Sequence, residues 1–322
     1  MEDVLPRPRL APAPRGRSRP ALHAALFLLT VATTLWAGFL LSPAAEGAPT
    51  LARVVAGGLP FAASLLGILF CHEMGHFVLA RRHGVDVTLP YFIPSPIGIG
   101  TFGAVIRIRS AMPSRRATFD IGAAGPLAGF AVAVPLLLWG IAHSEVRPVA
   151  EAVHHAAYGS PFELLRALLA GRPIAPEGGE GPMIMGDSLL TWFAARAVIG
   201  PLPPGQDVYL HPVAFAAWLG LLVTALNLIP VGQLDGGHVL YALLGRSRAE
   251  VGSRLASRAL LACGVFLSWN WLVWWGLTRL LVGVRHPPAL EEAEPLGSGR
   301  RFLALATLGI LALVFVPVPV SF

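Results

Sequence analysis

His72-Glu73-Met74-Gly75-His76 sets two imidazoles four residues apart, with a carboxylate beside the first. On a helix, positions i and i+4 share one face, so both rings can grip a single zinc ion. Glu73 would then lie beside the metal and could act as general base toward an attacking water. Residues 57–70, GGLPFAASLLGILF, run up to this cluster without a charge. A charge at mid-membrane costs about 2.5–3.5 kcal/mol on insertion scales, so ionisable groups there point to a function. The same cost argues against histidines that merely cap or hydrogen-bond a helix.

A catalytic zinc takes three protein ligands and keeps a fourth position open. The third donor must therefore come from elsewhere in the chain. Residues 227–238, NLIPVGQLDGGH, offer Asp235 just past an apolar run, with Gly236 and Gly237 permitting close backbone approach. His238 is read as a helix-capping or supporting group and His83 as interfacial. His154 and His155 are adjacent, so on a helix they point apart and are not read as ligands. Cys71 and Cys263 lie in apolar runs without a C-x-x-C, which supports neither a disulfide framework nor a thiolate zinc site.

These residues need elements to hold them, and composition says which kind. The 322 residues are 55% hydrophobic and 13% charged, with mean hydropathy +0.65, whereas soluble domains carry about 25% charge. This is the profile of an all-α polytopic membrane protein lying in a lipid bilayer. All 24 basic residues are arginine and the net charge is +6. No stretch interleaves basic and aromatic residues, which excludes a nucleic-acid surface; the excess instead marks cytoplasmic loops.

Apolar runs at 22–41, 55–80, 118–142 and 210–230 read as spans, followed by a less regular 256–283, broken near 268–271, and a last segment at 302–320. Six spans are expected. Arginines at 7–19, 81–82, 107–116 and 246–258 put the N-terminus and the active-site side in the cytoplasm. Residues 1–20 form a Pro- and Arg-rich tail expected to be disordered. Residues 21–322 make one transmembrane domain, with a motif core at 55–245 and an extracytoplasmic loop at 143–209. Between spans two and three, alternation in AVIRIR (104–109) predicts a strand, and the surrounding prolines and glycines a short hairpin or re-entrant loop beside the motif. Asp120 is expected to cap the third span and Gly125 and Gly129 to pack helices closely. Trp269, Trp271, Trp274 and Trp275 are expected to form an interfacial belt.

HEMGH on a hydrophobic helix, followed by N-x-x-P-x-x-x-x-D-G-G at 227–237 with AGPLAG (124–129) between them, resembles the site-2 protease family of intramembrane zinc metalloproteases. The likeness runs over about residues 55–245, in a compact form without an evident PDZ or nucleotide-sensing domain. It implies one zinc ion held by His72, His76 and Asp235. Glu73 would activate water, and Asn227 would hydrogen-bond substrate backbone or the developing oxyanion. Gly125 and Gly129 could also face substrate. The implied activity is hydrolysis of peptide bonds within or near the transmembrane segments of protein substrates. A non-catalytic metal-binding or transport protein, or an inactive homologue, is the alternative.

Overall fold

The computed structural model describes residues 19–42, 45–46, 48–148, 159–170, 184–293 and 295–321. Residues 1–18 of the expected disordered tail and the His154–His155 pair lie outside them; Arg19 and Pro20, also assigned to the tail, instead cap and open the first helix. The described chain is mostly helical. Helix α1 (Pro20–Leu40), α2 (Leu51–Arg82) and α3 (Arg115–Ala142) are each long and apolar enough to cross a membrane. Their outward faces carry bare leucines such as Leu28, Leu29, Leu40 and Leu59, as helices bordered by lipid tails would. Two further helices, α6 (Pro212–Leu228) and α10 (Ser298–Val314), have 17 residues each. At about 1.5 Å per residue they reach about 26 Å, short of a bilayer core of about 30 Å.

Helix α2 is the axis of the fold. Thr50 caps its start and the apolar run carries it through Pro60 to Arg81–Arg82, where Gly84 turns the chain at φ +71°. On one side α1 crosses at Gly38 and Gly58, where a Cβ on either residue would press into the opposite backbone. On the others Phe61, Leu65 and Ile68 of α2 interlock with Phe215, Leu219 and Leu221 of α6 and Leu137 of α3. This packing joins α2, α3 and α6 into one bundle.

After α2 the chain forms a two-stranded hairpin, β1 (Tyr91–Pro94) against β2 (Thr101–Val105), antiparallel with Tyr91 opposite Val105. Of the alternating 104–109 stretch only Ala104 and Val105 lie in β2; beyond them Ile108 makes an isolated bridge to Val87. Helix α1 anchors the hairpin, for the Thr33 hydroxyl donates to the Gly100 carbonyl at 2.6 Å.

Ser114, not Asp120, caps α3. Asp120 lies a turn and a half inside the helix, accepting from Nε and Nη2 of Arg300 (2.8 and 2.9 Å) and from His83 (2.9 Å). It ties α2, α3 and α10 together, a long-range role that a local capping pattern does not reveal.

The 143–209 region, expected to be loop-rich, holds a two-stranded ribbon, β3 (Glu145–Pro148) with β5 (Gln206–Tyr209), and two short helices, α4 (Pro161–Leu169) and α5 (Leu189–Val198). A short β4 (Ile184–Met185) pairs with β6 (Val320–Ser321) near the chain end. Past α6 come α7 (Asp235–Leu244) and α8 (Arg246–Phe266), then a break at Leu267–Ser268 before α9 (Trp269–Leu277) and a π-helical turn (Thr278–Val282). The expected tryptophan belt does not hold for Trp271. That ring is fully buried, stacked on Phe315 at 4.7 Å, and donates to the Val316 and Pro317 carbonyls.

Candidate metal centre

His72 and His76 lie one turn apart on the face of α2 turned toward α3, both buried. That face stays open because α3 presents glycine there. A Cβ on Gly125 would overlap the His76 imidazole, and one on Gly129 would come within 3.2 Å of His72 Nδ1. Gly75 returns the arrangement, since a Cβ there would overlap the Ala124 carbonyl. The glycines expected to pack helices closely therefore do so, and what they admit is the two imidazoles. Gly125→Ala is accordingly expected to displace the His76 ring and cut the metal retained after dialysis at least tenfold. Gly67→Ala, which meets nothing within 4 Å, should leave it unchanged.

The third group arrives from the other half of the chain. Helix α6 ends at Leu228, Pro230 prevents its continuation, and a tight turn containing Gly232 (φ +52°) leads into α7. The hydroxyl of Ser253 in α8 holds this turn by donating to the Pro230 carbonyl and accepting from Gly232 N–H. Gly236 and Gly237 sit against the Leu228 and Gly232 carbonyls, where no Cβ would fit. The start of α7 is thereby pressed against the end of α6, and Asp235, its first residue, is aimed at α2.

The convergence is tight. Asp235 Oδ2 lies 3.3 Å from His72 Nε2 and 3.3 Å from His76 Nε2, and the two nitrogens are 3.2 Å apart. Donors held 2.0–2.2 Å from a tetrahedral ion are separated by roughly 3.3–3.5 Å. The three atoms thus occupy three corners of a tetrahedron of the right size, and these residues could hold a metal ion. His76 Nδ1 donates to the Ile121 carbonyl at 2.7 Å, which fixes the tautomer and leaves Nε2 its lone pair for a metal.

Two further groups share this place. Glu73, buried beside the pair, is hydrogen-bonded by the backbone of Ile106, just past β2. Asn227, in the last turn of α6, puts Nδ2 3.3 Å from His72 Nε2. All five residues singled out from the sequence line one cleft of about 840 Å³ that the chain from Ala104 to Ile108 also lines. His238 also lines it, and its ring bonds His286 at 2.6 Å. Sequence reasoning missed His286: it lies 48 residues from His238 in a Pro-rich segment with no motif around it.

The fold and the site define a membrane-embedded helical protein in which an H-E-x-x-H helix meets an aspartate from a later helix start. The chain belongs to peptidase family M50, whose sequence model matches residues 60–270. It is 31% identical over 313 residues to the probable zinc metalloprotease EGY1, chloroplastic, of Oryza sativa subsp. japonica, covering 91% of this chain and 49% of that protein. With EGY1 of Arabidopsis thaliana it shares 33% identity over 267 residues, 82% of this chain and 44% of the other. The chain spans about half the length of the curated relatives it matches. No solved structure gives a significant match.

Proposed function

We propose that the protein is a zinc-dependent intramembrane endopeptidase that cuts membrane-protein substrates within or near a transmembrane segment. The carrying observation is the meeting of His72, His76 and Asp235 at tetrahedral spacing with Glu73 in the same cleft. Zinc bound there would polarise the scissile carbonyl and make water a stronger nucleophile at neutral pH. Glu73 takes the proton from the attacking water and returns it to the leaving amine. Asn227 Nδ2 donates to the carbonyl oxygen as negative charge develops on it. A cleft sunk among apolar helices limits competing water and strengthens each of these interactions.

A helical substrate keeps its peptide bonds inside i→i−4 hydrogen bonds and must unwind to be cut. The hairpin supports a way to hold it open. β1 covers one edge of β2, while the chain from Ala104 to Ile108 lines the cleft, so an unwound substrate can add as a further strand. Arg107 and Arg109 pair inward with Thr88 and Asp86, which leaves the Ile108 N–H on the outer edge. Ile108→Pro removes a donor there and is expected to slow cleavage about tenfold with zinc content unchanged. Loss of zinc, or an undiminished rate, would count against strand addition.

The arginines at the end of α2 and the start of α3 support a topology with the N-terminus and the metal site on the cytoplasmic side. In this reading α6 and α10 add to α1–α3, and in place of a single further span α8 and α9 fold back on each other, with Ser253 and Gly283 both beside Gly232. A metal-binding or transport protein without catalysis would leave Glu73 and the strand-lined wall unused. The test is to purify the full chain in detergent, measure zinc, and follow cleavage of a reporter fused to a transmembrane segment. Cleavage that a strong chelator abolishes and added zinc restores is expected; zinc-loaded protein that cuts none of a panel of such reporters would refute the proposal.

A further inference from the structure

An extended peptide has hydrogen-bonding groups on both edges. If one edge pairs with the strand wall, the other faces α7, and its buried N–H groups need acceptors there. On that side His238 lines the cleft, and its own hydrogen bonds settle what it can offer.

The settlement begins at His286. Its Nδ1 lies 2.6 Å from the Pro287 carbonyl, which can only accept, so Nδ1 carries the hydrogen. Burial pushes the His286 imidazolium below its ordinary pKa, so the ring is neutral at neutral pH. Nε2 is then a lone pair, and the 2.6 Å contact to His238 requires His238 Nδ1 to donate. Burial and the neighbouring His286 push the His238 pKa down to about 4, so its ring carries one hydrogen, on Nδ1. The second nitrogen is a bare acceptor in a residue that lines the cleft. None of the described residues hydrogen-bonds it.

Neither ring is free to rearrange. Tyr241 stacks on His286 at 4.1 Å and 11°, its hydroxyl donating to Glu292 at 2.6 Å and accepting from Ala289 N–H at 2.9 Å. The segment is further strapped to the entry of α3 by Leu290 N–H on the Met112 carbonyl and Glu291 N–H on the Pro113 carbonyl. His238 is seated against Gly122 of α3, where a Cβ would come within 2.6 Å of its own.

We propose that His238 Nε2 accepts a backbone N–H of the bound substrate on the edge turned away from the strand wall, and that His286 is the positioning residue that fixes His238 as an acceptor. This rests on the peptidase reading above. A peptide bond turned the other way, offering a carbonyl, would meet lone pair with lone pair. His238 therefore selects the register in which the chain lies across the metal centre.

The experiment uses the full chain in detergent and a synthetic peptide that it cuts, with the cleaved bond located by mass spectrometry. The peptide is remade as a set in which each backbone N–H flanking that bond is replaced in turn by an ester oxygen. One ester is expected to lower wild-type kcat/KM about fivefold to tenfold. On His238→Ala, already slower by a similar factor, that same ester should have no further effect, while every other ester acts equally on both proteins. His286→Ala should reproduce the insensitivity, and His286→Gln, which restores an acceptor for His238 Nδ1–H, should remove it. The His286 pair also decides the matter if His238→Ala loses its zinc. Equal ester sensitivity at every position in wild type, His238→Ala and His286→Ala overturns the inference and leaves the peptidase reading standing. Zinc-loaded wild type that cuts no peptide or membrane reporter overturns both.

Discussion

Glu73→Gln is expected to keep its zinc and lose its cleavage. Glutamine matches glutamate in size and fills the same buried space, but it cannot take a proton from water. The three atoms at tetrahedral spacing belong to His72, His76 and Asp235, so none of the proposed metal donors is touched. General-base catalysis contributes roughly 10²–10⁴-fold, and kcat/KM should fall by about that factor at equal zinc content. Parallel zinc analysis and reporter kinetics make the comparison. Equal cleavage by both proteins would take Glu73 out of the chemistry, and loss of zinc from the variant would make Glu73 a metal ligand.

Asp235→Ala has the opposite signature. It removes the one anionic donor and leaves two imidazole nitrogens 3.2 Å apart with nothing to close the site. Changes in groups that merely orient ligands already cost about 10–100-fold in metal affinity, so loss of a ligand should exceed 100-fold and empty the site on dialysis. The fold should survive. Asp235 stands in the first turn of α7 but makes no side-chain cap, and a carboxylate there contributes only about 0.3–1 kcal/mol through the helix dipole. Zinc measured after dialysis, beside far-UV circular dichroism, separates the two effects. An Asp235→Ala protein that holds a full equivalent of zinc would contradict the ligand assignment.

The two variants probe parts of the site that differ in how plainly the chain announces them. His72, Glu73 and His76 are legible because α-helical period is a local property: four residues return a side chain to the same face whatever surrounds it. The long apolar runs of α1–α3 are legible for a similar reason, since length and composition are counted along the chain. Less could be read after residue 250. There the helix breaks at Leu267–Ser268, and Trp271 turns inward because Phe315 and two carbonyls from the chain end receive it. Asp120 deceived for the same reason: its partner Arg300 lies 180 residues away.

Residue types and short spacings alone determined a membrane-embedded helical chain, an H-E-x-x-H pair able to share an ion, and Asp235 as a candidate third donor. Only the tertiary structure decided that Asp235 arrives, since that depends on α7 pressing on the end of α6 through Gly236 and Gly237 and on α3 withdrawing every Cβ from the two imidazoles. It alone brought His286 to His238 and the hairpin to the cleft wall. The physical reason is one of range: periodicity and hydropathy act between neighbours in the chain, whereas a metal centre is set by steric fit between segments more than 150 residues apart, to within a few tenths of an ångström.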